Sequence, residues 1–385
     1  MELPNDWLKD AILWNRASAR YVMQSTPGQR GSVHAKRSTG LNPQIKPTLK
    51  SKIRDDGTMK SVVVRAILGA VVSLTAILAD NAASAQSYPT RPITAVIPFA
   101  AGSASDVVSR ILFERMGRAM GQTIVVENRA GAGGNTGTAL VARAKPDGYT
   151  LIGAGSGPIG ANVSLYKNLG YDPVKDLEII SPFAGFTIVV VASNALPVKS
   201  LKELITYAKA NPGLNYGSVG IGSAQHLAGE YFSQVTGTKM THVPYKNIGQ
   251  YSTDLIAGSV PLGFQWFPNV SGPLGFKGAR ALAVAGDSRL AALPDTPTTT
   301  EAGLPQYKMS GWFALAAPAG TPKPILERLS RELAAAIKDP AVRDGFAKVG
   351  AEPMMLPLDQ AKKFLITEIA QYRDIVTKAG IPTIE

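Results

Sequence analysis

The chain reads ITAVIPFAAGSASDVVSRILFERMGRAMGQTIVV from Ile93 to Val126, and this stretch predicts the fold class. Residues 93–97 are an apolar, β-branched run that is typical of a strand, and a turn rich in small residues follows them. Residues 107–120 then place apolar side chains at helical spacing, and residues 123–126 return to strand composition. This order predicts a βαβ unit, and therefore an α/β fold with loops at the strand ends available for a ligand.

The same alternation starts again in the second half of the chain. Residues 179–191 have strand composition, and residues 201–210 have helical spacing that ends at Asn-Pro-Gly, residues 211–213. Residues 215–217 then lead into a second glycine-rich turn and helix.

Two such units predict two lobes, each a helix-covered parallel or mixed sheet. We expect the chain to cross between the lobes near residues 186–192 and again near residues 310–316. The first lobe is then predicted at 86–189 and 311–385, and the second lobe at 190–310.

A secretory signal is predicted at residues 59–85. Its apolar segment, residues 66–79, is preceded by Lys60 and Arg65 and followed by the small-residue site Ala83-Ser84-Ala85. This segment is shorter than the roughly 20 residues that a membrane-spanning helix needs. We therefore expect export to the periplasm and cleavage near Ala85.

Residues 1–58 show no sustained apolar period. The favoured interpretation is a non-native or disordered leader, with Met59 as the true initiator, and a genuine basic arm is the alternative. The formal charge of +12 divides equally between the two parts of the chain. Residues 1–85 contain 12 basic and 6 acidic residues, and residues 86–385 contain 28 basic and 22 acidic residues. A charge of +6 over the later part, without a basic cluster, predicts no nucleic-acid binding.

The chain contains no cysteine, which excludes disulfides, thiol nucleophiles and thiolate metal sites. After the predicted cleavage site only His226 and His242 remain as histidines, too few for a structural zinc centre. We therefore expect no metal and no cofactor.

Two loops carry the chemistry that the sequence shows, residues 98–106 and residues 217–226. Both are rich in glycine, serine and alanine and both lead into a helix, so their backbone N–H groups and the helix dipole can hold an anion without a cationic side chain. One such loop in each predicted lobe suits a carboxylate clamped between lobes. The alternative for each loop alone is a tight strand-to-helix turn.

Spaced segments from Tyr88 to the C-terminus carry a resemblance to a known family: Tyr88-Pro89-x-Arg91-Pro92-Ile93, residues 98–106, residues 126–135 (VENRAGAGGN), residues 146–151 (PDGYTL), residues 242–246 (HVPYK), Leu293-Pro294-Asp295-x-Pro297-Thr298, residues 301–305 (EAGLP), Gly311-Trp312 and residues 317–322 (APAGTP). With these segments the sequence resembles the Bug-type solute-binding proteins, the receptors of tripartite tricarboxylate transporters. Many spaced segments in the same order make this resemblance specific.

The resemblance implies a two-lobed periplasmic binding protein of type II, the Venus flytrap fold, that holds a small carboxylated molecule between the lobes. Carried over by position, it places the ligand at Phe99, Ala100, Ser103, Ala104, Asp106, Gly220, Gly222, Ser223, His226 and Tyr245. Of these, we interpret Asp106 and His226 mainly as supports of the two helix starts. The implied partners are membrane transporter subunits, or a membrane histidine kinase if the protein feeds a sensor, and we expect a monomer.

Three positions depart from the family pattern. Ser103 replaces a glycine, Asn247 replaces the glycine after Tyr-Lys, and Pro261 replaces an acidic residue. Because proline removes both that charge and an N–H group, a contact made there in relatives is in doubt. Three aromatic side chains either line the cleft or fill a buried sheet edge: Phe264, Trp266 and Phe267.

An enzyme is the less favoured alternative. The sequence has no G-x-S-x-G motif, and two histidines leave little choice of a general base, so an exported serine hydrolase is disfavoured. Residues 131–137 follow a strand and imitate a dinucleotide-binding turn, but the third glycine is one place late. We therefore expect a binding protein without catalytic residues.

Overall fold

The computed structural model describes residues 88–378 and 380–384, so the predicted leader and signal peptide lie outside the described residues. The strands of this part of the chain are β1 (Ile93–Ile97), β2 (Ile124–Asn128), β3 (Thr150–Gly155), β4 (Leu177–Thr187), β5 (Val189–Ser193), β6 (Leu214–Ser218), β7 (Met240–Pro244), β8 (Leu262–Gln265), β9 (Ala279–Val284), β10 (Ser310–Pro318) and β11 (Ala351–Pro353). The α-helices are α1 (Ala104–Met120), α2 (Asn135–Ala142), α3 (Asn162–Leu165), α4 (Leu201–Ala210), α5 (Ala224–Thr236), α6 (Ile248–Ala257), α7 (Phe267–Gly275), α8 (Lys323–Lys338), α9 (Pro340–Lys348) and α10 (Leu358–Lys378).

Helix α1 shows how the local sequence sets an element. Ser103 is its N-cap in extended backbone, and Gly121 ends it in the left-handed conformation (φ 67°) that glycine adopts without a Cβ penalty. One face of the helix is buried, with Val108 and Leu112 fully inaccessible to solvent. The helix begins three residues before the predicted apolar period, because its first turn consists of small residues.

The first sheet has six strands in the order β11-β4-β10-β3-β1-β2. Strand β1 pairs in parallel with β2 and β3, as the predicted βαβ unit requires, whereas β10 runs antiparallel to both β3 and β4. Its core packs the sheet against α10, with Trp312 and Phe364 in edge-to-face contact at a centroid distance of 5.0 Å. We call this sheet and the helices packed on it the first lobe.

The second sheet has five strands in the order β7-β6-β8-β5-β9. Strand β6 is parallel to β7 and β8, and β5 is antiparallel to β8 and β9. Its core is built around Val189, Val191, Tyr251 and Leu255. This sheet with its helices is the second lobe, so the predicted α/β class with two helix-covered mixed sheets is confirmed.

The chain passes between the two sheets where β4 ends and β5 begins. Ile188 lies at this crossing and donates a backbone hydrogen bond to Met309 (3.0 Å), which precedes the returning strand β10. Ala285 in turn donates to Ile188 (2.8 Å) and accepts from Met309 (2.9 Å). Backbone hydrogen bonds therefore join the segments that connect the two sheets. The residue boundaries given for the two lobes stay a prediction.

Candidate functional site

A cavity of about 270 Å³ lies where loops of the two lobes meet. The loops after β1 and β2 contribute from the first lobe, and the loops after β6 and β7 contribute from the second, so all four follow the carboxyl ends of parallel strands. The lining consists of Phe99, Ala100, Ser103, Ala130, Gly131, Ala132, Gly133, Tyr166, Val219, Gly220, Ile221, Pro244, Tyr245, Lys246 and Ile248.

Backbone donors of the first loop already have acceptors within the protein. Gly102 N–H donates to Asp106 Oδ2 (2.9 Å), and Ser103 N–H donates to the Ala100 carbonyl (3.2 Å). Ala104 N–H, at the start of α1, donates to Oδ1 of Asn269 in the second lobe (2.8 Å). The loop composition predicts that these N–H groups hold an anion, but in this conformation they donate to acceptors of the protein.

Asp106 organises the first loop. Besides Gly102 N–H, its carboxylate accepts from Arg110 Nε (2.9 Å) and from Asn128 Nδ2 (3.0 Å). Burial by itself would raise the pKa of Asp106, but the hydrogen bonds from Arg110, Gly102 and Asn128 outweigh it and hold the pKa below its usual value. The carboxylate therefore stays charged and acts as a support of the loop.

The second loop is closed on itself in the same manner. Gly220 N–H donates to Ser218 Oγ (3.0 Å), Ser223 N–H donates to the Gly220 carbonyl (3.1 Å), and Gly222 N–H donates to His226 Nδ1 (3.2 Å). Ser223 also caps α5, since its Oγ accepts from His226 N–H (3.3 Å). Ser223 and His226 thus hold the loop against the helix.

Two histidine rings in contact, tilted by 33° to each other, lie beneath this loop. The rings of His226 and His242 are 4.1 Å apart between centroids, and His242 Nε2 lies 2.6 Å from Ser218 Oγ. Burial lowers the pKa of His226 to about 4, and burial together with the neighbouring His226 lowers the pKa of His242 to about 3. Both rings are neutral at pH 7. Ser218 is fully buried, so its hydroxyl is not accessible to a substrate in this conformation.

Both tyrosine hydroxyls of the cavity donate to protein acceptors. Tyr166 donates to the Ile221 carbonyl across the lobes (3.1 Å), and Tyr245 donates to Asp254 Oδ2 (2.6 Å). Burial, and then the adjacent Asp254 carboxylate, raise the pKa of Tyr245 well above its ordinary value. Both groups are therefore neutral phenols that stiffen the cavity wall.

Glycines allow the two lobes to approach at the cavity. A Cβ on Gly133 would lie 2.0 Å from the carbonyl oxygen of Ile221, and a Cβ on Gly222 would lie 2.2 Å from Oδ1 of Asn162. Gly133 (φ 61°) and Gly222 (φ 81°) also have left-handed backbone. The lobes thus approach each other here more closely than a side chain at either glycine would allow.

The structure separates the predicted site residues into two groups. Those that line the cavity are Phe99, Ala100, Ser103, Gly220 and Tyr245. The others lie behind it and shape the loops or the contact between lobes: Ala104, Asp106, Gly222, Ser223 and His226. Whether either group binds a ligand stays a prediction.

The cavity is also lined by residues outside the predicted site, namely Tyr166, Lys246 and residues 130–133. Residues 130–133 follow β2, which is parallel to β1, and Lys246 follows β7, which is parallel to β6. Because β1 and β6 lead into the two predicted loops, the position of these residues after the neighbouring strands was a signal that they belong to the same site. Phe264 and Trp266 are buried and do not line the cavity. They are not at a sheet edge either, because Phe264 lies on β8, the central strand of the second sheet, and Trp266 is the N-cap residue of α7.

Known proteins are similar to this chain both in sequence and in structure. The family described as "Tripartite tricarboxylate transporter family receptor" matches residues 108–381. Protein BugT of Bordetella pertussis is 35% identical over 317 residues, which cover 82% of this chain and 97% of BugT. Two solved structures each reach a TM-score of 0.74 over 77% of this chain and 100% of their own: periplasmic binding protein BugD, 34% identical, and R. palustris Rpa4515 with adipate, 33% identical.

Proposed function

The chain belongs to the tripartite tricarboxylate transporter receptor family, and we propose that it is an extracytoplasmic solute-binding protein that captures a small carboxylated molecule in the cavity between its lobes. The ligand would be enclosed by closure of one lobe on the other. The adipate bound by Rpa4515, which has the same fold, supports a carboxylate ligand.

One observation carries this proposal: each lobe contributes strand-end loops to the cavity, and Lys246 is the only charged residue among the described residues that line it. A cavity shared between lobes couples binding to closure, because a ligand that touches both lobes stabilises the closed form over the open one. The single positive charge favours an anion. The rest of the lining is mostly apolar and fits a compact organic body better than an inorganic ion.

The transport role is the finer part of the proposal. The protein would be exported by the signal at residues 59–85, act as a periplasmic monomer and deliver its ligand to the membrane subunits of a tripartite transporter. Among the described residues, no helix is long and apolar enough to cross a membrane. Protein recovered from the periplasm is expected to begin within a few residues of Gln86, which N-terminal sequencing checks.

Calorimetric titration tests the binding function. Protein beginning at Gln86 is titrated with adipate, succinate, citrate and benzoate, and thermal unfolding is followed in parallel. We expect saturable, one-site binding of at least one acid and a higher melting temperature, since binding to the native state alone adds about 2.7 kcal/mol of stability at a hundred times Kd. Folded protein that binds none of these acids, or that consumes an ester substrate catalytically, would contradict the proposal.

A further inference from the structure

The polar groups of the cavity are few, and most are already engaged. The hydroxyls of Tyr166 and Tyr245 donate to protein acceptors, and the Ser103 hydroxyl is 3.0 Å from that of Ser105. No aspartate or glutamate is among the described residues that line the cavity. The lining therefore offers no negative group to neutralise a cationic part of a ligand.

Lys246 is the exception to this uncharged lining. It lies between β7 and α6, and the next residue, Asn247, caps α6 by accepting a hydrogen bond from Gly249 N–H (2.8 Å). This cap fixes the backbone that carries the lysine. The N-terminus of α6 adds partial positive charge beside it.

The ammonium group of Lys246 makes no ion pair with any residue in the part of the chain that the structure describes. Asp254 is the acidic residue of the adjacent helix α6, but both of its carboxylate oxygens are in use. Oδ2 accepts from Tyr245 Oη (2.6 Å) and Oδ1 accepts from Gln250 Nε2 (2.9 Å). Lys246 is an exposed residue, and no carboxylate of the described residues forms an ion pair with its ammonium group, so this group is available to an anionic ligand.

We propose that Lys246 pairs with a carboxylate of the ligand and that it makes the site selective for acids that lack an ammonium group. This inference rests on the proposed function and names the ligand class of the same cavity. An amino acid would bring its ammonium group into a cavity that already holds one cation and no carboxylate. It would be rejected by repulsion and by the cost of burying an unpaired charge.

Paired acids test the selectivity on protein beginning at Gln86. Adipate is compared with 2-aminoadipate and succinate with aspartate, because each pair differs by one ammonium group. We expect the unsubstituted acid that binds to do so about tenfold or more tighter than its amino derivative. Equal or tighter binding of the amino derivative would overturn the inference.

Variants test the role of the lysine itself. Lys246→Met keeps the apolar stem but removes the charge, and we expect it to weaken acid binding about tenfold or more. In the wild type, added salt should lower the affinity by screening this charge, and most of that decrease should be absent in Lys246→Met. Lys246→Arg keeps the charge and is expected to stay within a few-fold of wild type. Lys239→Met is the matched control, since Lys239 is an exposed lysine of the same lobe outside the cavity.

The outcomes separate the two proposals. If the wild type binds an unsubstituted acid while Lys246→Met and Lys239→Met bind it equally well, the role of Lys246 is wrong and the binding function stands. If the wild type binds none of the four acids, both proposals fall. Loss of binding in Lys246→Met supports the role of Lys246 if the circular dichroism spectrum and melting temperature of this variant match those of Lys239→Met.

Discussion

Oδ1 of Asn269 lies 2.8 Å from the backbone nitrogen of Ala104, so a side chain of the second lobe accepts the hydrogen bond from the start of helix α1 in the first. Asn269 Nδ2 donates to Gln265 Oε1 (3.0 Å), and Gln265 Nε2 donates to the carbonyl of Gly217 (2.9 Å). This buried chain of amides links the helix start of one lobe to the strand that carries the glycine-rich loop of the other. It stabilises the closed arrangement directly.

Asn269→Ala is expected to favour the open form. The closed form would leave Ala104 N–H buried without an acceptor, which costs about 1–3 kcal/mol. We expect a larger radius of gyration in small-angle scattering and weaker ligand binding. Trp266 stacks on Phe186 of the first lobe with the ring centroids 5.4 Å apart. Because opening would separate the two rings and expose Trp266 to water, its fluorescence should shift to longer wavelength. Asn211→Ala, at an exposed asparagine of the second lobe, is the control; identical scattering and fluorescence in both variants would exclude this role.

Gly133→Ala is expected to prevent full closure. Its added methyl would lie 2.0 Å from the carbonyl oxygen of Ile221, whereas a Cβ on Gly121 has no atom within 4 Å. Gly133 (φ 61°) and Gly121 (φ 67°) share the left-handed backbone, so Gly121→Ala carries a similar conformational cost of about 1 kcal/mol. Calorimetry should show loss of ligand affinity only in Gly133→Ala. Equal affinities would mean that the lobes need not approach this closely.

The sequence predicted the regular elements well because their signals are local. The pairing of Ile93 with Ile124 in parallel strands follows from the βαβ pattern. The antiparallel position of β10 between β3 and β4 does not, because β10 reaches the first sheet only after the chain has built the whole second lobe. Local periodicity contains no information about such a return.

The site was predicted in part for the same reason. The composition of the two loops indicates free backbone donors, but Ala104 meets its acceptor in Asn269, 165 residues later in the chain. Asp106 and His226 could be interpreted as supports from their position in a first helical turn, and their hydrogen bonds to Gly102 and Gly222 agree with this. Only the folded structure brings Lys246 to the same cavity as the first loop.

Acid is expected to destabilise the protein through His226. Its native pKa of about 4 lies below the ordinary value of 6.5, so between these values the unfolded chain binds a proton that the native state does not. This contribution to stability is complete above pH 7 and decreases toward pH 4, by about 3 kcal/mol in total. His226→Asn removes the titration and keeps an acceptor for Gly222 N–H. Urea unfolding at pH 7 and pH 5 should show a smaller loss in the variant, and an unchanged loss would contradict the assignment.

Glu368 on α10 is expected to have the opposite pH dependence. Its carboxyl is 3% exposed and accepts a hydrogen bond from Trp312 Nε1 (2.5 Å). Burial raises its pKa to about 7, although the Trp312 hydrogen bond lowers it, against an ordinary value of 4.5. Between these values the native state holds a proton that the unfolded chain releases, so this group destabilises the native state progressively as pH rises from about 4.5 to 7.

Glu368→Gln should therefore stabilise the protein at pH 8 relative to wild type, by up to about 3 kcal/mol, and have little effect near pH 4.5. The neutral amide keeps an oxygen to accept the Trp312 hydrogen bond and has almost the same volume as the protonated acid. Urea unfolding at several pH values measures the free energy of unfolding of both proteins. The contributions of the other titrating groups cancel in the difference between the two. Glu352→Gln, at an exposed carboxylate of β11, controls for the change in net charge. If the difference between Glu368→Gln and wild type is the same at pH 5 and pH 8, Glu368 does not titrate in the native protein within this range.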